Sequence, residues 1–225
     1  MTAPYLSAWH ILYVLSTPTL LSTIRLEVSS HVKVTPPVTI GKFSSPPSLA
    51  ISSLGFLKSC PVFRSSFRET LRLTSRDWTL KTTKVDRVAL SYDPDSKPYM
   101  LPQGTNILIP HELYLRDSKN FSSPDHFIPD RFVVREPSQP TVKSAETGTT
   151  ELFSKRAGFF GADKLIEETC LSFVAGILMM WDIEPVINER GRKEWKVPKM
   201  GYGIGIARPE GDVRVRIRSR ETEMA

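Results

Sequence analysis

Glu69 and Arg72 stand three apart in Phe67-Arg68-Glu69-Thr70-Leu71-Arg72-Leu73. On a helix that spacing puts a carboxylate and a guanidinium on one face, close enough to pair. In a chain with 24 acids and 30 bases, about one such spacing arises by chance. A solvated pair would contribute only a few tenths of a kcal/mol. Phe67, Leu71 and Leu73 make this one different, because such neighbours would bury it, and a buried ion pair needs further polar partners. The other reactive side chains are sparse. Cys60 and Cys170 are the two cysteines, neither in a Cys-x-x-Cys, so the pattern is that of a reducing compartment without a disulfide framework or zinc site. Cys170 lies on the apolar face of a helical pattern, where a small buried residue is the ordinary occupant. Cys60 precedes Pro61 near a helix start. His111 and His126 are expected at a surface or in a satisfied hydrogen bond. There is no acid–base pair, phosphate-cradling glycine loop or metal-spaced His/Cys cluster that would define an enzyme site.

The elements that would position these residues follow from periodicity and punctuation. Tyr5, Leu6, Trp9, Leu12, Tyr13 and Leu15 predict a helix over residues 4–16. A second covers 18–30, with Thr17 as cap and Pro18 as first residue. Residues 32–49, with Pro36, Pro37, Pro46, Pro47 and several serines, read as a loop. Residues 51–74 read as helical, with a helix start near Pro61, and carry Glu69 and Arg72. Strand-like alternation follows from Trp78 to Leu90, then at Tyr99–Leu101 and Asn106–Ile109 on either side of Gly104. Residues 116–140 are rich in loop formers. Leu165 to Trp181 is a strongly periodic helix. Pro209-Glu210-Gly211-Asp212 reads as the turn of a terminal β-hairpin. The fold class is mainly α with small β-sheets, α+β.

Composition bounds the rest. The chain has 225 residues, is 40% hydrophobic, carries 18 prolines and has a formal net charge of +6. It is long enough for one or two domains with a real core. The basic residues are scattered, and Arg214, Arg216, Arg218 and Arg220 alternate as one face of a strand would, so no nucleic acid partner is expected. Residues 3–21 are apolar but interrupted by His10 and Pro18, without a positive leader or cleavage site. They are expected as a buried helix, with neither a signal peptide nor a membrane anchor.

Several runs together resemble the cytochrome P-450 superfamily of heme-thiolate monooxygenases. Glu69-Thr70-Leu71-Arg72 matches its Glu-x-x-Arg. Phe127-Ile128-Pro129-Asp130-Arg131-Phe132 looks like its Pro-x-Arg-Phe element, approached through Gly104-Thr105, His111, Asp117, Pro124 and Asp125. Trp9-His10-Ile11-Leu12-Tyr13 with Ser16-Thr17-Pro18 resembles the end of the family's long central helix. Phe173-Val174-Ala175 and Trp181-Asp182-Ile183-Glu184-Pro185 resemble the helix after the heme loop and its exit. Order and extent suggest that residues 1–225 form a single partial domain, the C-terminal half of a truncated cytochrome P-450-like fold, similar to fungal members of the oxysterol-hydroxylase-like branch. The resemblance implies that Glu69, Arg72 and Arg131 form a buried structural triad that locks a loop beneath the heme. It also implies a hydrophobic small-molecule substrate, a reductase, the endoplasmic reticulum membrane and hydroxylation chemistry, plausible for fungal secondary metabolism.

One part of the pattern is missing. The family presents a cysteine to the heme iron, and its thiolate helps break the O–O bond. Phe160-Gly161-Ala162 resembles the start of that loop, but Asp163-Lys164-Leu165-Ile166 leads to Glu167 rather than cysteine. Phe160 and Phe173 are 13 apart, where the family has roughly 20. The loop's arginine is also unmatched. The chain is therefore expected not to bind heme, to have no catalytic residues of its own and to be inactive as written. Two alternatives stand beside this: an active monooxygenase whose coding sequence here lacks residues before Glu167, and a non-enzymatic fragment that binds a partner through exposed apolar faces.

Overall fold

Two prolines divide the helical layer. In the computed structural model, which describes residues 3–35, 39–90, 97–135, 140–141, 163–187 and 191–220, helix α1 (Ala3–Leu15) stops ahead of Pro18, and α2 (Pro18–Val28) starts on it. Pro18 supplies a fixed φ and needs no N–H there. Thr17 is the N-cap residue, but its side chain makes no capping hydrogen bond, contrary to expectation. The two helices turn through 113°. Among the described residues no single helix is long and apolar enough to cross a membrane.

The described residues 32–35, 39–40 and 43–44 lie in paired strands, which corrects the loop expectation. Strand β1 (Val32–Thr35) runs antiparallel to β4 (Ser48–Ile51), and β2 (Thr39–Ile40) pairs with β3 (Phe43–Ser44). Gly41, at φ +60, allows the tight turn between β2 and β3. Pro46 and Pro47 fall between β3 and β4, where no ladder N–H is needed.

The helical stretch over 51–74 is built as two helices. Helix α3 (Ser53–Ser59) ends at Cys60, and α4 (Pro61–Thr74) begins at Pro61. A proline here removes a backbone donor and clashes with the preceding turn. The start of α4 is completed from α2: Glu27 accepts from the backbone N–H of Val62 (3.1 Å) and of Phe63 (2.9 Å). Arg25, on the same helix, donates to the carbonyls of Leu178 and Trp181, both at 3.0 Å, and to Asp182 at 2.7 Å. Helix α2 thus closes the N-terminus of one helix and the C-terminus of another.

Strands β5 (Trp78–Thr82), β6 (Val88–Leu90), β7 (Tyr99–Leu101) and β8 (Asn106–Pro110) form two antiparallel ribbons, β5 with β8 and β6 with β7. Short α5 (His111–Leu115) follows, then a long loop to β9 (Val134–Arg135), which pairs with β10 (Pro140–Thr141). Helix α6 (Asp163–Met180) leads directly into β11 (Trp181–Pro185). The terminal hairpin is not built as expected. β12 (Lys199–Met200) pairs with β13 (Pro209–Glu210), while β14 (Val215–Ser219) pairs with β11. Gly205, at φ +92, interrupts the run that would have partnered β14. Asp182 lies opposite Arg218, and Glu184 opposite Arg216, so the acids of β11 answer the alternating arginines. The mixture of helices and small antiparallel sheets is the α+β class read from the sequence.

Helix α1 sits at the centre, packed on α2, α4 and α6. Trp9, Val14, Ile24, Phe56, Phe63, Leu171, Val174 and Leu178 fill the core. Trp9 donates to the carbonyl of Ala207 at 2.7 Å, tying the C-terminal segment to α1. Gly176 allows α6 to approach β4: a Cβ there would meet Leu49 Cδ2 at 2.7 Å. His10 is fully buried between Phe63 and Phe67. Ser66 donates its hydroxyl proton to Phe63, so His10 Nε2 donates to Ser66 Oγ (2.9 Å), and Nδ1 has no partner among the described residues.

Two predictions follow from this packing. Glu27→Ala leaves two partly buried N–H groups at the start of α4 without an acceptor and should lower stability by about 1–2 kcal/mol in chemical denaturation. Burial lowers His10 from the usual 6.5 to about 3. Between those values the unfolded chain binds the extra proton. The contribution is therefore fully present above pH 6.5 and falls by about 1.4 kcal/mol per unit on acidification towards 3. His10→Gln should flatten that limb of the stability–pH curve, measured by urea titrations at a series of pH values.

Candidate functional site

The segment between β5 and β9 is organised by a short piece of α4. Glu69 and Arg72 face the same side of the helix and are both 0% exposed. Arg72 Nε donates to Glu69 Oε2 (2.8 Å) and Nη2 to Oε1 (2.9 Å), a bidentate pair. The remaining donors of Arg72 cross to the loop: Nη1 to the carbonyls of Leu115 and Pro124, both 2.7 Å, and Nη2 to that of His126 at 3.4 Å. All five N–H groups of Arg72 therefore have an acceptor.

Arg131 comes to the same carboxylate from the loop. Its Nε lies 3.0 Å from each oxygen of Glu69. Its terminal nitrogens donate to the carbonyls of Ser122 (2.7 Å), Ser123 (3.3 Å) and His126 (3.3 Å). The N–H of Ile128 donates to Glu69 Oε1 at 3.1 Å. The structure thus brings Glu69, Arg72 and Arg131 into one cluster. The sequence pointed to these three side chains but not to the ring of carbonyls around them, since backbone groups carry no residue signature.

Neighbouring contacts hold the loop in place. His111 Nε2 lies 2.8 Å from the Thr79 hydroxyl, which seats α5 against β5. Arg116 pairs with Asp125 (2.6 Å) and donates to the carbonyl of Leu73 (2.9 Å). Arg76 pairs with Glu112. Phe127 stacks on Tyr13 of α1 with centroids 4.5 Å apart and planes 7° from parallel. Burial is the leading cause that pushes the Tyr13 hydroxyl up to about 12, so it stays neutral. The Phe132 N–H donates to Ser65 Oγ at 3.0 Å. Ser65, Phe121 and Arg116 were not singled out from the sequence. The dense Ser-Ser-Pro-Asp turn chemistry at 122–125 was the available signal.

The other candidate residues lie apart from this cluster. Cys170 is buried in the core of α6, 3.8 Å from the carbonyl of Ala3, and burial raises its pKa. Cys60 is buried at the α3–α4 junction, 3.4 Å from the carbonyl of Glu27, and its pKa is pushed up to about 12 by burial and then by the Glu27 charge. Glu167, near the start of α6, pairs with Arg64 at 2.7 Å and lies 3.6 Å from Arg68. Phe160-Gly161-Ala162 lie outside the described residues.

Glu69, Arg72 and Arg131 thus form a buried cluster that joins α4 to the loop before β9. A cytochrome P-450 family model matches residues 7–145, a span that includes all three residues of the cluster, and the chain belongs to that family. Cytochrome P-450 monooxygenase 226 of Postia placenta is 29% identical over 168 residues, covering 73% of this chain and 29% of that protein. Prostacyclin synthase of Rattus norvegicus is 25% identical over 219 residues, covering 94% of this chain and 41% of that protein. The enzyme of the same name from Bos taurus is 24% identical over 218 residues. The chain therefore spans 29% to 41% of the length of the relatives it matches.

The family's cofactor is heme, and its axial ligand is a thiolate. The thiols here do not fit that role. Both are sequestered in packed positions that favour the protonated form, and no cysteine stands between Cys60 and Cys170.

Glu69→Ala would leave two buried guanidiniums without their carboxylate, and should cost about 3–5 kcal/mol. Arg131→Ala should cost less, because Arg72 still pairs with Glu69. Urea denaturation of both variants tests the order, and equal stability of Arg131→Ala and the parent would show that Arg131 contributes nothing to the cluster.

Proposed function

We propose that this chain is a monooxygenase scaffold in which Glu69, Arg72 and Arg131 fix the loop from His111 to Phe132, and that as written it does not act as a heme-thiolate monooxygenase. The cytochrome P-450 family inserts an oxygen atom into a C–H bond of a hydrophobic molecule with electrons from a reductase, and the bound heme thiolate supplies that chemistry. The residues of this chain do something more limited. The ion cluster gathers carbonyls from Leu115, Ser122, Ser123, Pro124 and His126 and sets the loop against α1 and α4. The observation that carries the inactive reading is the placement of Cys60 and Cys170, each packed in the core with a raised pKa. A thiolate ligand must be ionised and reachable, and neither thiol meets that requirement.

The short spacing between Phe160 and Phe173 favours a second reading. An active, longer form would carry about seven further residues ahead of Glu167, including the ligand cysteine, and would hydroxylate a hydrophobic metabolite of the kind fungal members handle.

Purified 225-residue protein, supplied with hemin and reduced under carbon monoxide, is expected to lack the red-shifted Soret band of a thiolate-ligated ferrous carbonyl. Such a band, lost in Cys170→Ser or Cys60→Ser, would overturn the first reading. Transcript sequencing across the Ile166–Glu167 junction tests the second: additional in-frame codons including cysteine support it, and their absence rejects it.

A further inference from the structure

The ion cluster has a charge imbalance. Two guanidiniums meet one carboxylate, so one positive charge is in excess within the trio, and the side chains of Glu69, Arg72 and Arg131 are only 0%, 0% and 9% exposed. Carbonyl oxygens answer the edges of both guanidiniums, where the N–H groups point. Among the described residues, an aromatic ring also lies against both guanidiniums. The Phe121 ring lies 5.0 Å from Arg72 Cζ and 6.0 Å from Arg131 Cζ. An aromatic face carries partial negative charge, and the attraction is strongest where water is excluded. Phe121 is 7% exposed and packs with Leu115, Phe132 and Tyr114 in a small core separate from the main one. The Tyr114 ring meets it edge-on at 6.3 Å and 89°. The next two residues, Ser122 and Ser123, give their carbonyls to Arg131.

We propose that Phe121 is a positioning residue of the cluster: its ring face offsets the surplus guanidinium charge and so holds Arg72 and Arg131 on Glu69. This rests on the loop-fixing reading above. It separates ring electrostatics from simple volume. Leucine at 121 would keep an apolar filler but offer no negative face, and the excess charge would meet only hydrocarbon.

The amide of Ile128 is a local probe, because it donates to Glu69 Oε1. Phenylalanine carrying one, two or three ring fluorines is incorporated at position 121 of the full chain, and hydrogen exchange is followed at Ile128. Fluorine withdraws electron density from the ring face while nearly preserving its shape, so a filler role would be little affected. Exchange is expected to quicken stepwise, reaching about tenfold with three fluorines. Phe121→Leu should quicken it at least as much. Uniform exchange across the fluorinated series, beside fast exchange in Phe121→Leu, would overturn the proposal and leave Phe121 as packing alone. If Phe121→Leu does not fold, the fluorinated series decides by itself. Fast exchange of Ile128 in the unmodified protein would instead overturn the loop-fixing reading, since Glu69 would not be holding that amide.

Discussion

A carboxylate shut away from water must be met by hydrogen-bond donors, and that demand shapes the region between β5 and β9. Glu69 takes two N–H bonds from Arg72, a bifurcated contact from Arg131 and the backbone N–H of Ile128. Each arginine then needs acceptors for its other N–H groups. Carbonyls available to a fully buried guanidinium must be ones not already used in a helix or strand ladder, as in loops and at helix C-termini. A loop that turns its carbonyls inward meets that need, and residues 115–128 supply one. The irregular path of the segment is a consequence of the ions it solvates.

The cluster in turn needs a fixed α4. That helix is started by Pro61, closed at its N-terminus by Glu27, and finished by the N–H of Ala207 on the carbonyl of Thr74 (2.8 Å) and by Arg116 on that of Leu73. These contacts arrive from α2, from the C-terminal segment and from the loop itself. Helix α1 joins the same parts through Trp9, which reaches Ala207, and through Tyr13, which stacks on Phe127. The ion cluster and the apolar core are therefore not independent: the rings and carbonyls that hold the loop are anchored on helices that exist because they bury each other.

Family membership and chemical competence rest on different residues. The motifs carried by α4 and its loop fall within the span matched by the family model. The sulfur chemistry of the family depends on one cysteine ahead of the helix corresponding to α6. Here Glu167 stands near that position, paired with Arg64. The forces that build the scaffold, apolar burial and ion pairing in α4, do not depend on a cofactor ligand.

Periodicity and proline placement made α1, α2 and α6 legible to within a few residues, because an apolar stripe at helical spacing and a proline at a helix start are local signals. The pair Glu69–Arg72 was equally local. Pro61, at the start of α4, is a local signal of the same kind. Pairing between distant strands was not legible: β14 joins β11 rather than its neighbour in sequence, and β1 pairs with β4 while β2 pairs with β3 in a stretch that reads as loop. Such choices depend on which edges and faces come together after the helices pack. The family motifs, the periodic helices and the lack of a cysteine in residues 163–169 are readable from the chain alone. Which carbonyls solvate the two arginines, that Phe121 lies against them and that both thiols are enclosed emerged only in the assembled interior, because burial and solvation belong to that interior and not to any residue alone.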